Sequence, residues 1–316
     1  MHFIIVSLLL IFFATGAVQA ADPEDLQRLL QTNECESCDL SDARLTTVDL
    51  RGAYLKDANL AGANLTHAKL DQAYLIGANL KKATLINANL SGALLQQANL
   101  ERADLSEAVL ETKGRRRSQL QDANLQGANL QGANLRGVNL TRTNLSNANL
   151  QKAKLKVNTI SIVFESRRFQ DIAPIILETN FSNANLQGAS MNNIRMIKAD
   201  FSNANLTDVN FNNSWILSSN MSQAMLQNAS MNKAKIFDSN LNQTNLRGAS
   251  LHKIDIRNTS LIGADLSDAK AKGAQLTKVN LFGANTANVD FSDVALCSVT
   301  TTSEGLISSH NCAVLE

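Results

Sequence analysis

The sequence predicts a solenoid, a fold of short turns repeated along one axis, and three observations carry that prediction. From Leu40 to Leu155 leucine fills 23 of 24 positions spaced by five, and only Arg115 breaks the series. Twelve of the 15 glycines occupy one site in that five-residue unit, two residues after its centre, as Gly52, Gly62, Gly132, Gly188 and Gly263 do. Hydrophobic residues make up 44% of the chain, aromatics only 4%, and the 36 asparagines outnumber the 29 lysines and arginines. A conventional core of this size would use more large rings, and a disordered chain would carry fewer apolar residues and a stronger charge imbalance.

The unit fits neither common element. On a helix each step of five turns about 140° and scatters the leucines around the axis; on a strand an odd spacing throws successive leucines to opposite faces. The chain must instead turn once per unit so that each central residue points inward, with glycine and Asn/Asp meeting the backbone demands of the corners. Alanine two residues before the centre, as at Ala53, Ala58 and Ala63, completes the pattern. After Ile160 the period fails; it resumes one residue out of phase at Phe181 and continues to Leu296, with Leu, Ile, Met or Phe at every centre except Ala271 and Thr286. Shared glycine placement gives both arrays one architecture.

Units of the form A-[N/D]-L-x-x, as in Gly127-Ala128-Asn129-Leu130-Gln131, resemble those of the pentapeptide-repeat family. The resemblance implies an all-β, right-handed quadrilateral β-helix in which one unit forms one side and four form a coil, with a short N-terminal capping helix here. Residues 20 apart should then stack: Phe181 with Phe201 and Met221, Ile216 with Ile236 and Ile256, Tyr54 with Tyr74. The repeats would make about 12 coils, a rod of roughly 58 Å at strand-like stacking.

The chain divides accordingly. Residues 1–20 read as a signal peptide, an apolar run from Phe3 to Ala14 followed by Ala17-Val18-Gln19-Ala20, with cleavage expected after Ala20 and a retained anchor as the alternative. Residues 21–39 form an N-terminal cap holding a CxxC motif. Its helix starts at Asp22-Pro23-Glu24-Asp25, and Leu26, Leu29 and Leu30 supply one apolar face. The first array spans 40–160 with an outward loop at 111–119, because Arg115 inside would bury an unpaired charge. An insertion, 161–180, contains Phe164, Phe169 and Pro174; the second array spans 181–296, and 297–316 form a C-terminal cap. Solenoids need such lids because their ends expose the core.

In an exported chain the four cysteines suggest structural disulfides, Cys35 with Cys38 and Cys297 with Cys312. Cys35-Glu36-Ser37-Cys38 also reads as a redox centre or half a zinc site, but no βαβ pattern, second CxxC or His pair accompanies it. Cys35 falls on the leucine phase and Cys38 on the alanine phase, so both thiols should point into the first coil.

No nucleotide-binding loop, zinc-helix motif or serine elbow is present, and of the four histidines His2 falls in the expected signal segment while His67, His252 and His310 are far apart in sequence; the chain reads as no enzyme, with no catalytic, cofactor or metal residues. A formal net charge of +1 argues against a nucleic-acid partner and against an acidic nucleic-acid mimic. An anionic partner has two candidate contacts: the loop residues Lys113, Arg115, Arg116 and Arg117, and an outer column of Lys82, Arg102 and Arg142 interrupted by Asp122. The reading is an exported, non-enzymatic scaffold or protein-interaction module of the periplasm, or of the thylakoid lumen in a photosynthetic source, binding a protein or envelope component. The alternatives are a DNA-mimicking binder of DNA gyrase, as some members of the family are, and a thiol redox protein using Cys35 and Cys38.

Overall fold

The computed structural model describes residues 21–112, 116–155 and 175–299. The expected signal segment, most of the C-terminal cap with Cys312, and Phe164, Phe169 and Pro174 lie outside these residues. Among the described residues a single helix, α1 (Pro23–Thr32), precedes a parallel ladder whose regular strands are β1 (Ile175–Leu177), β2 (Arg195–Ile197), β3 (Trp215–Leu217), β4 (Lys235–Phe237), β5 (Asp255–Arg257), β6 (Gln275–Thr277) and β7 (Ala295–Cys297). Each strand pairs in register with the next, Trp215 with Lys235 and Ile216 with Ile236. Everywhere else the rung is one residue wide, and four such rungs separate residues that stack, as Tyr54 does on Tyr74 and Asn59 on Asn79.

The unit explains its own geometry. The central leucine's N–H donates up the ladder, Leu100 to the Asn124 carbonyl at 2.7 Å, while the preceding residue donates down it, Asn99 to the Ala78 carbonyl at 2.9 Å. Two residues after the centre the chain turns with positive φ, and the next alanine N–H donates back to the leucine carbonyl, Ala103 to Leu100 at 3.0 Å. All twelve glycines predicted at that corner have φ between 65° and 72°. Lysine, arginine and glutamine also take it, Lys82 at φ 59° and Arg102 at 57°, which extends the corner set beyond Gly, Asn and Asp. Each such residue costs about 1–2 kcal/mol, which the ladder on both sides offsets.

Asparagine before the centre uses both ends of its amide. Asn79 Nδ2 donates to Asn59 Oδ1 at 3.0 Å, and its own Oδ1 accepts from the Lys81 N–H at 3.3 Å. One column runs Asp39, Asn59, Asn79, Asn99, Asn124, Asn144, Asn180, Asp200, Asn220, Asn240, Ser260, Asn280, twelve rungs in all. Aspartate can only accept. Asp39, Asp265 and Asp290 are held below the ordinary aspartate value of 3.8, first by the side chain of the serine two residues on and then by that serine's N–H. A depressed folded-state pKa contributes stability that is complete above the unfolded value and lost as pH falls through the folded one. Acid below pH 4 is therefore expected to lower the thermal midpoint of the parent chain more than that of an Asp39→Asn/Asp265→Asn/Asp290→Asn variant, in which the amide oxygens keep the same bonds. Thermal unfolding followed by circular dichroism between pH 5 and pH 2 measures the difference; equal losses would contradict it.

Inside, Leu40, Leu60, Leu80 and Leu100 are fully buried, as are the alanines beside them. Phe181 and Phe201 stack with ring centroids 4.7 Å apart and planes 1° from parallel, and Phe211 meets Phe201 edge-on at 6.2 Å. At the N-terminal end Asp22 caps α1, accepting from the Glu24 N–H at 2.8 Å, and Leu29 seals the first coil. The expected apolar face is narrower than predicted: Leu26 is only partly buried and Leu30 is 56% exposed, because the lid rests on the coil through a single turn.

The ladder continues across both interruptions. Glu111 and Thr112 remain on it, Thr112 N–H donating to the Arg136 carbonyl at 3.1 Å. The chain rejoins at Ser118, which is fully buried in an alanine position, its hydroxyl accepting from the Gly92 N–H at 2.8 Å. Of the expected 111–119 loop, Glu111, Thr112, Ser118 and Gln119 therefore keep ladder positions. Leu110 and Leu120 fill consecutive interior positions, so the unit centred on Arg115, itself outside the described residues, adds no side to the coil. The second array begins before Phe181: Ile176 is 4% exposed in the same phase, and Ile175 pairs with Arg195. The 161–180 boundary is therefore corrected. It was hidden because proline and threonine, Pro174 and Thr179, stand where alanine marks other units; Thr179 is nevertheless buried, donating to the Leu140 carbonyl. Across the gap Asn144 pairs with Asn180, Asn149 with Asn185 and Lys154 with Ser190, so the arrays form one continuous rod.

Candidate functional site

The faces are numbered here from the one bearing Glu34; Asp39, Arg44 and Asp49 begin the second, third and fourth. Lys82 and Arg102 do stack on one corner, of the second face, with Gly127 next above them, its would-be Cβ 3.4 Å from Arg102 Cγ. Arg142 does not join them. The five extra residues before Gln119 move every later residue one face on, so Leu94 pairs with Gln119 and Asn99 with Asn124. Arg142 consequently lies on a first-face corner above Asp122, held by two bonds of 2.6 and 2.7 Å. That pairing keeps the Asp122 carboxyl below its usual range and raises the guanidinium. Lys81 meets Glu101 at 2.9 Å and Arg102 lies 3.9 Å from the same carboxylate. The expected basic column is thus split and largely neutralised. Arg116 and Arg117 are exposed; Lys113 lies outside the described residues.

Cys35 and Cys38 form a disulfide with Cα atoms 5.3 Å apart, both sulfurs turned into the first coil at 1% residue exposure. Asp25 of α1 ties the lid down beside it, accepting from the Asp39 N–H at 2.7 Å and from Arg28 at 2.8 Å, while Arg28 Nη2 lies 2.6 Å from Cys38 Sγ. Asp25, Cys35 and Cys38 are the one cluster with metal-ligand atoms close together among the described residues. With the sulfurs bonded to each other no thiolate is available to a cation. Cys297 on β7 is disulfide-bonded as well.

The first face differs from the others. On the second face nine of the twelve rung residues are asparagine. On the first they are Glu34, Tyr54, Tyr74, Leu94, Gln119 and Asn139, then Ile175, Arg195, Trp215, Lys235, Asp255, Gln275 and Ala295. Both tyrosines and the single tryptophan of the chain are here. Tyr54 and Tyr74 stack at 5.4 Å, tilted 36°. Two residues along each strand a second outward column carries Leu177, Ile197, Leu217 and Phe237, all half-buried. Arg195 and Lys235 flank the Trp215 ring at 5.7 and 4.4 Å, and Arg257 covers Phe237 at 5.5 Å. Arg257 is neutralised by Asp255 at 2.8 and 3.0 Å. Arg195 and Lys235 form no ion pair among the described residues, and Arg195 Nε is buried without a hydrogen-bond partner. Both interruptions open on the edge of this face, one between Val109 and Gln119, the other between Lys154 and Ile175. Sequence reasoning missed the surface, although rung positions without asparagine were its visible sign.

A four-sided parallel solenoid of five-residue units, closed at one end by a helix and a disulfide, defines a class of repeat protein. The family model for pentapeptide repeats matches eight copies over residues 38–75, 73–111, 118–156, 178–213, 204–243 and 238–261, and the chain belongs to that family. Its fold is accordingly the right-handed quadrilateral β-helix. No curated protein matches. Among solved structures the chain is similar to HetL, a pentapeptide repeat protein involved in heterocyst differentiation regulation from the cyanobacterium Nostoc sp. strain PCC 7120, at 26% identity over 80% of this chain and 89% of that one, TM-score 0.25. A pentapeptide repeat protein of the Arabidopsis thaliana thylakoid lumen is 25% identical over 43% and 66%, TM-score 0.21. QnrB1, a plasmid-mediated fluoroquinolone resistance protein, is 16% identical over 75% and 89%, TM-score 0.25. Family membership rests on the repeats themselves.

Proposed function

We propose that this chain is an exported, non-enzymatic scaffold that presents its first face to a protein partner in the cell envelope, or in the thylakoid lumen of a photosynthetic source. The observation that carries the reading is the contrast between faces. The second face is mostly an asparagine ladder, with Ile262 and Phe282 its exposed apolar side chains, whereas the first face gathers both tyrosines, the tryptophan, a column of aliphatic side chains and two cations without counter-ions among the described residues. Aromatic and arginine side chains are the ones interfaces favour. The buried disulfide under α1 supports an oxidising compartment. No helix among the described residues is long and apolar enough to cross a membrane. A gyrase-binding DNA mimic would need acidic faces, and the strands of the first face carry Arg195 and Lys235 beside one carboxylate already paired with Arg257.

Photo-crosslinking tests the reading. A reactive residue at Leu217 is expected to capture a protein in the chain's own compartment, while one at Asn205 on the third face captures none, and the isolated protein is expected to begin at Ala21. Capture independent of face would overturn the binding role; recovery from the cytosol with residues 1–20 attached would overturn export.

A further inference from the structure

We propose that the first face of the second array docks an acidic amphipathic helix of a protein partner, its carboxylates on Arg195 and Lys235 and its apolar stripe on Ile197, Leu217 and Phe237. The inference rests on the scaffold reading above and specifies the partner's chemistry.

Parallel sheets whose outer face is apolar are typically covered by helices, whereas the mostly polar rungs on the other faces of this solenoid are suited to water. The sheet of β1 to β7 has one face in the rod's core, where Met196, Ile216 and Ile236 are at most 1% exposed. Its other face carries aliphatic and aromatic side chains that stay half-exposed, as a sheet awaiting its second layer would. The two outward columns run side by side along the rod. One is apolar: Leu177, Ile197, Leu217, Phe237. The other alternates cation, ring and cation: Arg195, Trp215, Lys235.

The spacing suits a helix laid along the ladder. Arg195 and Lys235 are two rungs apart, about 10 Å at strand spacing. Two turns of helix, seven residues, advance about 10.5 Å, so acidic residues at i and i+7 on one flank meet both cations. The columns are two residues apart along a strand, about 7 Å, which lets the same helix set its apolar stripe on the neighbouring column. Carboxylates close to the two cations are few: Asp255 on these strands is already bonded to Arg257, Glu178 at the corner is paired with Lys198, and Asp238 beside Phe237 accepts from Asn258. A second copy docking the same columns face to face would bring Arg195 and Lys235 against each other.

Trp215, the chain's single tryptophan, reports occupancy directly. The probe is a synthetic helical peptide of about 20 residues, some 30 Å long, with leucine on one stripe and glutamate at seven-residue spacing along its flank, titrated into the chain from Ala21 onward. Saturable change in Trp215 emission is expected, weakened about tenfold or more by Arg195→Glu/Lys235→Glu and by Leu217→Ser, unchanged by Lys152→Glu on the third face, and reduced by salt. All these substitutions are on the surface, and an unaltered circular dichroism spectrum verifies the fold. Absence of binding, equal binding of a peptide with lysine replacing glutamate, or indifference to the Arg195/Lys235 reversal would each overturn the proposal. So would an equal response to anionic phosphatidylglycerol vesicles, or a dimer in sedimentation that Leu217→Ser dissociates. If crosslinking from Leu217 succeeds while the peptide fails, the scaffold reading stands and the acidic-helix partner falls; if neither succeeds, both do.

Discussion

Leu100→Asp is expected to destabilise the first array by about 4 kcal/mol or more. Leu100 is fully buried between Leu80 and Leu125, with its N–H bonded to the Asn124 carbonyl at 2.7 Å and the Leu80 N–H bonded to the Asn99 carbonyl at 2.7 Å. Truncating a buried leucine costs about 2–5 kcal/mol, and a carboxyl without a partner adds about 1–3 kcal/mol even when it protonates to avoid burying a charge. Outward positions carry no such penalty: Lys82→Asp, on an adjacent coil, should stay within about 0.5 kcal/mol. Because each coil rests only on its neighbours, the defect should also divide the transition, the coils before it melting apart from those after it. Denaturant unfolding followed by far-ultraviolet circular dichroism would show an early first phase in Leu100→Asp alone. A single transition displaced by less than 1 kcal/mol would contradict an interior built this way.

What the sequence disclosed and what it concealed follow from the same repeat. Leucine at every fifth residue was enough to place Leu40 to Leu155 inside, since no other arrangement hides them all, and the stacking of Phe181 on Phe201 and of Ile216 on Ile236 follows from a coil of four units. The lid helix was legible from Asp22 and Pro23 because capping is local chemistry. Positions across an interruption were not. Leu94 and Gln119 are 25 residues apart and Lys154 and Ser190 are 36, so the loops add five and sixteen residues to a coil of twenty. Five extra residues displace the count by one face, which is why Arg142 was assigned to the column of Lys82 and Arg102. They also hid the first face: Tyr74, Leu94, Gln119 and Trp215 share it only after both loops are subtracted. Thr179 and Pro174 masked the earlier start of the second array, because the alanine rule records side-chain size at an inner corner, and a hydroxyl with a carbonyl partner satisfies that corner as well.

Because the ladder joins the two arrays into one rod, the chain between them is expected to be dispensable for holding them together. Leu145, Leu150 and Leu155 donate across the junction to the carbonyls of Asn180, Asn185 and Ser190 at 2.7, 2.6 and 2.9 Å. The bonds run the other way too, from Asn180, Asn185 and Ser190 to Thr143, Ala148 and Ala153 at 3.0, 2.9 and 2.9 Å, and Arg142 donates to Leu177 at 2.8 Å. With Leu145, Leu150, Phe181 and Leu186 buried at the same level, the junction has the bonding and the core of any other coil. Introducing a specific protease site within residues 158–172 and cutting it tests this most directly, with the cut chain analysed by size-exclusion chromatography and light scattering. Both fragments are predicted to elute together at the mass of the uncut protein and to part only in denaturant. Separation of the fragments in native buffer would contradict the continuous ladder.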